Sequence, residues 1–275
     1  LVVTDPAFAH ENPYANGINM MQEMQGRTGP YVLTNGVQGV SLSSRDGKLE
    51  RVHLVNATAS TTLRFTFSGA QMLQLATGGG RLSSAKRINS LDLSSGERAE
   101  LVLIPGANGG ELVAQRIGNE RAMRVSGTKE LIAKVDAKAG TDTSTLPASY
   151  NANTRDLFAS DVKVDKTRTI TLDGHMNPTI NGQLFDPNKV LVEAKKGTIE
   201  EWTIKSNSPM AHPFHLHTWP FQIKSQAGWH DEILVQPYQT VVLRVAFDDF
   251  TGTTVLHCHI LDHEDTGMMA VIKVS

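Results

Sequence analysis

The run His257-Cys258-His259-Ile260-Leu261-Asp262-His263-Glu264-Asp265-Thr266-Gly267-Met268 concentrates the soft donor atoms of this chain. It holds the only cysteine in 275 residues, with a histidine on either side, His263 five positions on and Met268 ten positions on. Thr253-Thr254-Val255-Leu256 just before it is β-branched and apolar, which predicts a strand entering the motif. Successive side chains of a strand point to opposite faces, so His257 and His259 look one way and Cys258 the other. Three donors split in this way do not close easily around one tetrahedral ion, which argues against a structural zinc site. They suit two metal sites, one on each side of the strand. Cys258, His263 and Met268 follow one path out of the strand into a turn. A thiolate with imidazoles and a weak axial thioether is the ligand set of a blue-copper electron-transfer centre.

Such a centre needs a second imidazole, and His212-Pro213-Phe214-His215-Leu216-His217 offers candidates. His215 and His217 stand two apart and share one face of an extended segment. Pro213 favours an extended or turned backbone at His212, which lets that ring aim elsewhere. The parity matches the first motif, with one ligand to the cysteine side and two to the far side.

HPFHLH followed by HCHILDHEDTGMM resembles the C-terminal copper motifs of the multicopper oxidases, the family of laccases, bilirubin oxidases and copper-efflux oxidases. The resemblance implies that His212, Cys258 and His263 hold a type 1 copper with Met268 axial. It implies that His215 holds a type 2 copper, and His217, His257 and His259 a type 3 pair. The HEDTGMM ending and Trp229-His230-Asp231 look closest to the bacterial copper-efflux and laccase-like branch. Glu264 resembles the acidic residue that relays protons in the family, against the plainer reading of an exposed turn carboxylate. Asp231 could orient a ligand imidazole, face the donor or serve only its loop.

The elements that must position these residues read as all-β: two cupredoxin-like Greek-key β-sandwich domains. Tyr31–Val37, Arg51–Asn56, Leu63–Phe67, Glu100–Pro105 and Glu111–Ala114 are short strands separated by turn residues, the pattern of an antiparallel sandwich. Residues 1–127 resemble the family's middle domain, which binds no copper, and His10 and His53 stand alone there. Residues 128–166, rich in Lys, Asp, Ala, Thr and Ser, read as an interdomain connection. Residues 167–275 form the C-terminal cupredoxin domain with the type 1 copper and half of a trinuclear cluster. Within it, Glu200–Ile204 is expected to pair with the strand leading to HPFHLH. His175 and Met176 match no copper position, and Met20-Met21-Gln22-Glu23-Met24 reads as packing or a loop rather than a Cu(I) cluster.

Composition bounds the rest. Hydrophobic content of 40% and charged content of 20% are those of a globular protein, and a net charge of -2 gives no electrostatic case for nucleic acid or an anionic membrane. No apolar run approaches the roughly 20 residues of a membrane helix. One cysteine excludes an intrachain disulfide. The family implies a periplasmic or secreted protein, and oligomerisation is left open. The expected chemistry is one-electron oxidation of phenolic or diphenolic donors or Cu(I), with electrons crossing about 10 Å from Cys258 to His257 or His259 and reducing O2 to water. The family's cluster uses eight histidines, and four are in these motifs. His10, His53, His175 and His230 remain, and none forms a His-x-His pair. The chain therefore reads as lacking an N-terminal cupredoxin domain or fragment, the partner expected to share the type 2 and type 3 coppers. The alternatives are a non-enzymatic blue-copper carrier or copper-binding module and, disfavoured by the full ligand set, a copper-free cell-division relative.

Overall fold

The structure, a computed structural model, describes residues 1–6, 20–43, 49, 51–117, 128–137, 146–149, 154–174 and 177–275, with residues 21–23 described by backbone alone. His10, His175, Met176 and the side chain of Met21 thus lie outside the described residues. The chain forms two compact units, Leu1–Gly17 with Arg27–Asn153, and Ile18–Gly26 with Thr154–Ser275.

In sequence order the first elements are β1 (Val2–Thr4), α1 (Met20–Gln25), β2 (Leu33–Thr34), β3 (Val40–Leu42), β4 (Arg51–Asn56), β5 (Thr62–Phe67), β6 (Gln71–Thr77), β7 (Gly80–Ile88), β8 (Ser90–Leu93), β9 (Arg98–Ile104), β10 (Gly110–Ile117) and β11 (Lys129–Val135). The strands of the first unit make two sheets, ordered β2-β1-β4-β9-β6-β7 and β3-β11-β10-β5-β8. Passing from β4 to β5 to β6, and from β8 to β9 to β10, the chain switches sheet each time, the Greek-key habit of a sandwich. Alternate residues such as Leu54, Leu63, Phe65, Leu101, Leu112 and Ile132 fill the space between the sheets. Buried Asn56 ties strand ends together, its Nδ2 donating to the carbonyls of Thr61 and Leu93 at 2.8 and 2.9 Å.

β11 departs from the sequence reading, which placed Lys129–Val135 in a connection. It pairs antiparallel with β10 and parallel with β3. Its lysines lie toward solvent and Ile132, Ala133 and Val135 toward the core, so a composition typical of a linker concealed a strand with one wet face.

The second unit continues with β12 (Lys166–Asp173), β13 (Thr179–Ile180), β14 (Val190–Ala194), β15 (Ile199–Ser206), β16 (His212–Leu216), β17 (Phe221–Ile223), β18 (Glu232–Val235), β19 (Thr240–Ala246), β20 (Gly252–Cys258), α2 (Leu261–Asp265) and β21 (Met269–Val274). Its sheets are β13-β12-β15-β19-β17 and β14-β21-β20-β16-β18, again nearly all strand and again a cupredoxin-like sandwich. Trp202, Phe214, Phe221 and Phe247 are fully buried between them. The expectation for Glu200–Ile204 is corrected here. β15 pairs with β12 and β19, whereas β16 lies in the opposite sheet between β20 and β18. The chain changes sheet between Ser206 and His212, a crossover that local pattern does not announce. α1, from the N-terminal part of the sequence, packs against α2 in this second unit.

Candidate metal centre

β20 is a central strand, antiparallel to β16 on one side and β21 on the other. Its ladder sets Cys258 opposite Phe214 and His257 opposite His215. Side chains directly opposite share a face, so the face of Cys258 also carries Phe214 and His212, and the face of His257 carries His215. The alternation read from the sequence is realised in this register, which pairs Phe214, His215 and Leu216 with Cys258, His257 and Leu256.

On the first face, Cys258 Sγ lies 3.6 Å from His212 Nδ1 and 3.7 Å from His263 Nδ1. A metal bonded at about 2.0 Å to nitrogen and about 2.3 Å to sulfur, with a trigonal angle between, separates those donors by about 3.7 Å. The spacing therefore fits a single ion held by one thiolate and two imidazoles. His212, Cys258, His263 and Met268 are all buried. Met268 joins the same core cluster as Cys258, and its carbonyl accepts the Cys258 N–H at 3.1 Å. Met269 stands opposite His257 and so on the other face. Burial, and the neighbouring His263, push His212 down to about 3, and burial pushes His263 down to about 4, so both rings are neutral and able to donate a lone pair. Burial drives the Cys258 thiol well above its ordinary value. His263 Nε2 faces the Met24 carbonyl at 3.4 Å.

On the second face four rings converge. His215 lies with ring centroids 4.8 Å from His217, 5.2 Å from His257 and 4.7 Å from His259. His217 Nε2 and His257 Nε2 are 2.9 Å apart. Burial takes His215 to about 3 and His257 to about 4, with neighbouring histidines adding to both shifts. Two donor triads result, His215 with His217 and His257, and His215 with Glu232 and His259.

A family model described as multicopper oxidase matches residues 160–275. The chain is 32% identical over 269 residues to multicopper oxidase mco of Staphylococcus haemolyticus, an overlap covering 92% of this chain and 54% of that protein. It is 26% identical over 295 residues to a laccase of Bacillus subtilis, covering 90% of this chain and 55% of the relative. A laccase-like multicopper oxidase from Ochrobactrum superposes with a TM-score of 0.84 at 24% identity, covering all of this chain and 66% of the other. Residues 160–275 make this chain a member of the multicopper oxidase family. It spans about half the length of the curated relatives it matches.

The other residues singled out in this multicopper oxidase chain fall into three places. Glu264 Oε2 lies 3.3 Å from His257 Nδ1, and burial raises its carboxyl above the usual carboxylate range. Asp231 meets His215 through its backbone, whose carbonyl is 2.7 Å from Nδ1. His53 and His230 are brought to neither face: His53 lies 3.5 Å from Glu100, and His230 Nε2 lies 3.1 Å from the Ala227 carbonyl. Sequence reasoning missed Glu232, whose Oε2 is 2.9 Å from His259 Nδ1. Local pattern gave no signal for it: alternation turns Ile233 and Val235 to the core and Glu232 to the other face, and only its pairing with His215 places it among the histidines.

Proposed function

We propose that this chain carries the electron-entry centre and half of the oxygen-reducing histidines of a laccase-type or cuprous-oxidase-type enzyme. In this reading single electrons come from a phenolic or diphenolic donor or from Cu(I), and four of them reduce O2 to two waters. The observation that carries it is the back-to-back arrangement on β20, where the adjacent residues His257 and Cys258 belong to a four-histidine cluster and to a cysteine–imidazole site on opposite faces. Copper, when bound, supplies the redox couple at both places.

The chain's own residues do the rest. His212 and His263 offer neutral Nδ1 atoms inside a dry core, and a rigid buried shell favours little rearrangement between copper oxidation states. The Cys258 thiol, protonated when metal-free, releases its proton on binding the metal. The Cys258 carbonyl lies 3.0 Å from His257 Nδ1, a direct contact between the two faces. Glu264, half-buried beside the same ring, is placed to hold a proton near the cluster. His215, His217 and His259 are partly exposed, unlike the cysteine site, which is consistent with a further set of histidines completing that face.

Copper loading of the chain should give an intense blue absorption that Cys258→Ser abolishes. The chain alone should consume little O2 with a phenol or Cu(I). Addition of a cupredoxin domain bearing two His-x-His pairs should raise bound copper from one to four per complex, on the family's pattern, and restore turnover. A colourless copper-loaded protein would sink the cysteine-site assignment. A blue protein still holding one copper with that domain present would mark an electron carrier instead.

A further inference from the structure

We propose that Glu232 is the positioning residue for His259, fixing its tautomer and its aim. The inference rests on reading His259 as a metal ligand, and it concerns how the ring is held before any metal arrives.

β18 and β20 are separated by β16, a gap of two strand spacings, about 9.6 Å. Glu232 stands opposite His215 on β16, and the ladder places His259 beyond Cys258, with its N–H donating to the Pro213 carbonyl at 2.9 Å. Glu232 and His259 therefore reach toward each other over β16, ending with Oε2 2.9 Å from Nδ1. The glutamate side chain is fully buried and the imidazole 24% exposed. Sealed from water, the carboxylate gains most from a donor within its reach, and His259 Nδ1 at 2.9 Å favours the tautomer that carries its hydrogen on that nitrogen.

The other rings show the same logic with different acceptors. His215 Nδ1 faces the Asp231 carbonyl and His257 Nδ1 faces the Cys258 carbonyl. Each is left to bind through Nε2. His259 is the ring of this set whose Nδ1 partner is an acidic side chain with no exposed surface. A carboxylate on Nδ1–H raises the basicity of Nε2 and locks the ring plane, as carboxylate–histidine–metal arrangements do.

The test uses the 275-residue chain with ¹⁵N-labelled histidine in a Cys258→Ser background, metal-free at neutral pH. Long-range ¹⁵N–¹H spectra identify the protonated nitrogen of His259, assigned by its loss in His259→Gln. The expected result is Nδ1–H in the parent and in Glu232→Gln, which keeps an acceptor oxygen. In Glu232→Leu the ring should shift toward the Nε2–H form that free imidazole side chains prefer. Zn(II), a redox-silent probe, should bind about 10–100-fold more weakly to Glu232→Leu, and Glu232→Gln should recover part of that loss. Should the leucine variant not fold, the parent tautomer and the glutamine variant still decide the matter. An Nε2–H ring in the parent would overturn the proposal, because Glu232 would then be acting on metal directly or not at all. Failure of the histidines to bind any metal would count against the oxidase reading, while the tautomer would still report on Glu232.

Discussion

Met268 and Met269 are one position apart and belong to opposite faces of the sheet. The ladder pairs Met269 with His257, and Met268, fully buried, shares the core cluster of Cys258. Met268→Leu should keep the blue absorption and raise the reduction potential, since a weak thioether donor to Cu(II) is lost. Met269→Leu should leave the potential where it was; redox titration of the two variants separates them, and the reverse order would shift the axial position by one. At this scale the sequence was informative about the sulfur and imidazole donors. His212, Cys258, His263 and the four cluster histidines are distinctive in type and spacing, and the fold brings them to two faces. It was uninformative where backbone atoms act. Asp231 was left open between orienting a ligand imidazole, facing the donor and serving its loop; its carbonyl meets His215, and any residue at that position could offer the same oxygen. The adjoining Glu232 carries the carboxylate that reaches a ring.

At the level of elements, alternation was enough to find β16 and β20, because a strand with one metal face and one core face repeats every second residue. Alternation says nothing about which sheet a strand joins, and β15 was accordingly paired with the wrong neighbour. α2 ends in a turn whose Gly267 has φ +107, a conformation that side-chain-bearing residues rarely adopt, and this turn delivers Met268 to the cysteine face. A Cβ at Gly267 would stand 3.3 Å from both Leu184 Cδ2 and Phe185 N. Gly267→Ala should therefore cost about 1–3 kcal/mol of stability, read as a lower urea midpoint, and should broaden the blue absorption by displacing Met268. A variant of unchanged midpoint would show that the turn relaxes freely.

For the whole molecule, the buried histidines make the metal-free chain acid-sensitive. His212 is lowered to about 3 and His263 to about 4 from an ordinary 6.5. On acidification the unfolded chain takes up these protons first, so stability is full above pH 6.5 and falls below it. The slope is at most about 1.4 kcal/mol per pH unit for each ring, and it levels off once the folded rings also titrate. Urea midpoints of the metal-free chain should drop between pH 7 and pH 5, less steeply in His212→Gln; equal midpoints at the two pH values would contradict the burial argument. Among the described residues no helix is long and apolar enough to cross a membrane. The placement of α1 bears on any attempt to dissect the protein. Residues 154–275 include each ligand named here, yet the Met24 carbonyl facing His263 Nε2 is contributed from far upstream. An excised C-terminal piece should still turn blue, but with the outer edge of His263 uncovered. Small reductants should bleach it faster than the parent chain, and a synthetic peptide spanning residues 18–26 should slow that bleaching.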